Sequence, residues 1–188
     1  LPDSSVVKKL YQEMLDTSDL SKKDRLQITL KEMVKPGSID VNIMTKLDRD
    51  TYDKASQKRD SYYSDAISAL RGFANSTLNA SIIFSAGFNR RLFAYLENCS
   101  DFFPDKQNFI KKRVVLKVSD FRSSLTQGKF LAKKGIWVSE YRIESGLNCG
   151  GHALATDGYL MGPILEEFKQ QKHELVSSLF DIYNDALL

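Results

Sequence analysis

The chain has 188 residues, of which 42% are hydrophobic and 27% charged, with a formal net charge of +3. That balance supports a packed core and excludes a disordered or collagen-like chain. The small basic surplus is scattered over Lys8-Lys9, Lys22-Lys23, Lys111-Lys112-Arg113 and Lys133-Lys134, which read as solvated surface, so no nucleic-acid partner is expected.

In chain order, Ser4-Ser5 can cap a first helix to about Asp16, with Val7, Leu10, Met14 and Leu15 on one face. This opening is amphipathic rather than a signal peptide, and no apolar run approaches the ~20 residues of a membrane span. A cytoplasmic protein with no membrane partner is therefore expected. The chain opens without Met and closes within helical periodicity, which suggests a piece of something longer. A second helix is predicted from Lys22 to about Val34 and stopped by Pro36-Gly37. "IDVNIMTKL" alternates as a strand. Asp48 to Asp60 is charged and polar and reads as an excursion, followed by a helix from Tyr62 to about Ala74.

"ASIIFSAG" reads as a strand buried on both faces, and "NRRLFAYLENC" as a helix of roughly three turns. "RVVLKVSD" is a third strand and "FRSSLTQGKFLAKKG" a helix closed by Gly135. "IWVSEYRI" is a fourth strand, and the segment from Gly162 to the end is a long helix with Pro163 in its first turn. Strands alternate with helices long enough for parallel crossovers. A closed eight-stranded barrel needs about 250 residues. The expected fold class is α/β, as either a small open sheet or about half a barrel.

Ligand sites in such folds lie at the carboxyl ends of the strands. Those ends carry Asn42, Thr45 and Lys46; Ser85, Ala86, Gly87 and Asn89; Lys117, Ser119 and Asp120; and Glu144, Ser145, Asn148, Cys149 and His152. A Lys at the end of an apolar strand points to a partner or ligand, because an unpaired buried charge is costly. In "ESGLNCGGHALATDG", Gly150-Gly151 serves either as a turn with positive φ or as a close backbone approach to a flat ligand. His152 is one of only two histidines and can move protons near neutral pH. Cys149 lies three residues before it, but no third orienting residue is evident, and a packed thiol is the simpler reading. His173 reads as solvated. Cys99 and Cys149 form neither a zinc spacing nor a disulfide framework. The sequons at Asn75, Asn79 and Asn98 carry no meaning without secretion.

"SGLNCGGHA" resembles the loop after the fifth strand in nitronate monooxygenases and the related flavin-dependent enoyl-acyl-carrier-protein reductases. "KEMVKPGSIDVNIMTKL", "IIFSAGFNRRLFAYL" and "RVVLKVSDFRSSLTQGKFLAKKG" resemble their second, third and fourth units, and the order agrees over roughly residues 24 to 170. The resemblance implies part of a TIM (β/α)8 barrel, with residues 1–38 as leading helices and 39–188 as four βα units of a single incomplete domain. It implies non-covalent FMN, with Asn42, Lys117, Ser145, Gly150 and Gly151 near the cofactor. His152 would act beside the flavin ring in the oxidation of a small carbon acid. Asn148 stands where the family has an acidic residue. The stretch 48–60 is an insertion. The family's first strand has no counterpart here, and the later strands that hold the FMN phosphate fall beyond the segment. This segment alone is therefore expected to bind flavin weakly and to leave sheet edges for the remainder of the barrel or a partner chain to cover. The alternative is a non-enzymatic α/β binding or scaffold domain with no cofactor.

Overall fold

The computed structural model describes residues 1–35, 37–43, 48–85, 87–144 and 161–188. They form two compact units, Leu1–Ser38 and Ile39–Leu188. The first is a helical hairpin of α1 (Val6–Asp16) and α2 (Leu20–Met33). Ser5 caps α1 by accepting from the Lys8 N–H, and Asp19 caps α2 by accepting from Ser21 and Lys22. The second helix therefore starts two residues earlier than its apolar periodicity suggests.

The second unit is built on a parallel four-stranded sheet in the order β1 (Asp40–Ile43), β2 (Ala80–Phe84), β3 (Lys112–Val118), β4 (Val138–Ile143). Its helices are α3 (Asp65–Ala74), α4 (Arg90–Tyr95), α5 (Phe121–Ala132) and α6 (Met161–Leu187). Each strand pairs with its successor and the strand order never reverses. A reversal is what distributes helices over both faces of a doubly wound sheet. Here one face carries the helices. Ile43, Ile82, Phe84, Val114, Leu116 and Val118 share a single core with Leu70, Phe93, Leu131, Phe168 and Leu179 of the helices. Burying each such side chain contributes roughly 1.5–3 kcal/mol.

The opposite face is set by the two-residue alternation of the strands. Asn42 is level with Ile83 and Val115, and Asp40 with Ser81 and Arg113. Farther along, Lys117 is level with Arg142. A register shift between Val114 and Val115 leaves Ser139 bulged on β4, so Glu140, Arg142 and Glu144 point with Lys117. Apart from Ile83 and Val115, which are buried at its centre, this face is polar.

Two helices differ from their sequence reading. α4 is a short helix continued by 3-10 turns at Leu96–Asn98 and Ser100–Phe102, not one regular helix. The segment Ser61–Tyr63 is likewise 3-10, and α3 starts only at Asp65. The excursion after β1 is a tight turn in which Asp53 accepts from the Ala55 and Gln57 N–H groups and Tyr52 bridges Lys58. α5 ends at Ala132 and is followed by Gly135 at φ +68°, where a side chain would also press on Phe103 and Leu187.

Asp48 fixes this excursion to the helices. Its carboxylate accepts from the Ala66 N–H (3.1 Å), the Ser64 hydroxyl (3.2 Å) and the Arg91 guanidinium (Nε, 3.1 Å), while Arg91 also reaches Asp50 (3.1 Å). Burial alone would raise the Asp48 pKa, but hydrogen bonds from Arg91, Ala66 and Ser64 hold it below the ordinary 3.8. The stability this group contributes is thus present above pH 3.8 and lost as pH falls through the lower folded value. Asp48→Asn is expected to cost about 1–3 kcal/mol at neutral pH. The difference from wild type should shrink on acidification, as read by urea denaturation at pH 7 and below pH 3.8.

Candidate functional site

Because the strands are parallel, their carboxyl ends lie on one rim, and the polar face leads up to it. Lys117, at the end of β3, is ion-paired with Glu144 just beyond β4 (Nζ–Oε1, 2.7 Å). Its side chain is 19% exposed, so the charge that pointed to a ligand already has a protein partner. One of its three ammonium donors serves that pair. Asn42 stands exposed on the same face, and its side chain has no hydrogen-bond partner among the described residues.

Arg142 is the electrostatic hub of this face. Its guanidinium pairs with Glu140 on its own strand and with Asp40 on β1 (Nη2–Oδ2, 2.7 Å). The Glu140 and Asp40 carboxylates push its pKa further up, so its charge is fixed. Asp40 and Arg142 sit on the two outermost strands, about 14 Å apart across a flat sheet, and, with Asp40 level with Arg113 and Arg142 with Lys117, four residues apart along it. Their contact requires the sheet to twist and curl so that its polar face is concave. Toward the amino end, Arg113 donates to Ser81 (3.3 Å) and Asn79 (3.1 Å). The face thus opposes Arg113, Lys117 and Arg142 to Asp40, Glu140 and Glu144, a balanced set that gives orientation without a net field.

Part of the rim's polarity has a structural use. Asn89 caps α4 through the Leu92 N–H (3.0 Å), and Asp120 caps α5 through Ser123 (2.6 Å) while accepting from the Ser119 hydroxyl (3.0 Å). Asn89 and Asp120, read from sequence as part of the polar rim, are helix N-caps, and Ser119 braces the second of them. His173 is exposed on α6, as expected for a solvated position. Cys99 is partly buried, and burial followed by the Asp101 charge pushes its thiol up, away from reactivity. Among the described residues no cluster of His, Cys, Asp or Glu could hold a metal, and no helix is long and apolar enough to cross a membrane.

The structure therefore brings Asn42 and Lys117 to one face. Thr45, Lys46, Ala86, Ser145, Asn148, Cys149, Gly150, Gly151 and His152 lie outside the described residues. Sequence reasoning missed Asp40 and Arg142. The signal for Arg142 was available in "EYRIE", where Glu140, Arg142 and Glu144 alternate against Tyr141 and Ile143. Nothing local pairs Arg142 with Asp40, 102 residues away. No protein-family model, curated protein or solved structure matches this chain.

Proposed function

We propose that the chain is the half of a (β/α)8 barrel that carries the substrate side of an FMN-dependent oxidoreductase acting on a small carbon acid. The observation that carries this reading is the shared polar face. Asn42 and Lys117 converge there from parallel strands that run in sequence order, the arrangement of a barrel sector. Gly150, Gly151 and His152 follow β4 in the sequence. The residues present fit the cofactor. Asn42 offers a free amide, and Lys117 keeps two donors beyond its Glu144 pair. Bound FMN would supply the two-electron acceptor. Asn42, Lys117, Ser145 and the Gly150 and Gly151 backbones would orient it. His152 would take the proton released from the substrate carbon. The curled polar face, with its fixed Arg142–Asp40 and Lys117–Glu144 pairs, would hold the reacting groups without rearranging.

A second reading, a non-enzymatic α/β scaffold, is favoured by the same ion pairs and by the caps at Asn89 and Asp120, which give those polar groups structural partners. The two readings differ in one measurement. The intact protein that carries this segment should purify with flavin absorbance near ~450 nm or bind added FMN stoichiometrically. A folded, colourless protein that leaves FMN fluorescence unquenched would select the scaffold.

A further inference from the structure

We infer that a cavity between α5, α6 and β4 binds a small neutral phenol, held by a hydrogen bond to the Tyr141 hydroxyl. The cavity lies on the helix side of the sheet, away from the polar face, and the inference needs no flavin.

The cavity has a volume of about 170 Å³ and is lined by apolar side chains, among them Trp137, Val138, Leu175, Val176 and Leu179. Apolar cavities near 150 Å³ stay dry and take a benzene-sized molecule, so one substituted ring fits here. Val176 lines the cavity and is 53% exposed, which places it at the mouth.

Tyr141 fixes the polar end of the ligand. By the alternation of β4 its ring packs on the helix side, against the core. Its hydroxyl oxygen is buried there and has no hydrogen-bond partner among the described residues. Buried hydroxyls in folded proteins are nearly all paired, so this one points to a group that the chain itself does not supply. Burial pushes its pKa up, and the group stays protonated, able to donate as well as accept. Gly128, in the middle of α5, makes room for it. A Cβ at Gly128 would collide with the Tyr141 oxygen and with a Leu179 methyl. Glycine weakens a helix interior relative to alanine, yet it stands where the hydroxyl approaches the helix.

The other lining residues set the class of ligand. Among the described residues around the cavity, Glu140 alone carries a charge, and its carboxylate is paired with Arg142 on the polar face. A charged ligand would therefore stand unpaired in apolar surroundings, which is costly. A neutral ring with one hydroxyl places its apolar body against the wall and its oxygen against Tyr141. Trp137 favours an aromatic ring over an aliphatic group of equal volume, through edge-to-face or offset contact.

The test is calorimetric titration of the intact protein that carries this segment, with phenol and with toluene, which share a shape and differ in the oxygen. Both should bind one to one, phenol more tightly. Tyr141→Phe should weaken phenol by about fivefold and leave toluene unchanged. Because it removes an unpaired buried hydroxyl, it should leave the melting temperature of the ligand-free protein at or above that of the wild type. Val176→Trp fills the mouth from an exposed position, so it should weaken both ligands by at least about tenfold with far-UV circular dichroism unchanged. Four results would each overturn the inference. One is no saturation by phenol up to ~10 mM, the outcome if a side chain from outside this segment fills the space. Another is phenol binding indifferent to both variants, as it would be on the polar face. The third is an equal loss of phenol and toluene in Tyr141→Phe. The last is a lowered melting temperature in that variant, which would mean that the hydroxyl already has a partner in the intact protein.

Discussion

Lys112→Met is expected to destabilise the fold by about 2–4 kcal/mol, read as a lowered urea midpoint at unchanged slope. Lys112 opens β3, yet it is fully buried on the helix-side face. Its ammonium donates to the Ser76 carbonyl (2.8 Å), the Ser76 hydroxyl (2.7 Å) and the Leu78 carbonyl (2.8 Å), which uses all three of its protons. The Phe73 ring lies 4.7 Å below it. These acceptors close the turn between α3 and β2, so the side chain replaces backbone donors that the turn cannot supply. Methionine preserves the stem but leaves two carbonyls without donors, each worth roughly 1–3 kcal/mol, partly offset because no charge then has to be desolvated. The effect should depend on pH in a definite direction. Burial, followed by repulsion from Lys111, lowers the Lys112 pKa below its ordinary 10.5. Between the folded value and 10.5 the unfolded chain binds more protons, so wild-type stability rises with pH there. The penalty of the substitution should grow over the same window.

Lys112 also marks where sequence reading went wrong and why. Taken as one of three consecutive basic residues, it reads as solvated surface. Taken by strand parity, it sits in register with Val114, Leu116 and Val118, all core residues, whereas Lys117 is in register with Arg113 and Val115 on the polar face. Composition misassigns it, and the period of two assigns it correctly. The strands themselves were legible because β-branched runs alternate with long amphipathic segments, and this also predicts parallel pairing. The shortness of α4 was not legible, since "NRRLFAYLENC" has helical periodicity throughout while the chain tightens to 3-10 turns after Tyr95. The ion pairs that organise the polar face and the excursion were not legible either. Arg91 finds Asp48 over 43 residues and Arg142 finds Asp40 over 102. Such pairs are set by strand order and curl, which no local window contains. The polar rim was visible, but its division into caps (Asn89, Asp120), an ion pair (Lys117–Glu144) and a free amide (Asn42) depends on helix starts that only the fold fixes.

On the flavin reading, His152→Asn in the intact protein is expected to lower turnover by about 10²–10⁴-fold while leaving FMN bound. Asparagine keeps a hydrogen-bonding group of similar reach but cannot accept a proton. The substitution therefore removes proton transfer and spares the contacts assigned to Asn42, Lys117, Ser145, Gly150 and Gly151. A general base imposes a limb on the pH–rate profile of the wild type, and that limb should vanish in the variant. Lys117→Met should behave oppositely. It strips a donor from the polar face and breaks the Lys117–Glu144 ion pair, so FMN affinity should fall before the chemical step does. Comparing the two separates proton transfer from cofactor binding: His152→Asn should move kcat with the flavin spectrum intact, and Lys117→Met should move FMN affinity. Full turnover in His152→Asn would remove the proton-transfer role. Unchanged FMN affinity in Lys117→Met would confine that lysine to its pair with Glu144 and leave Asn42 as the flavin contact on the described face.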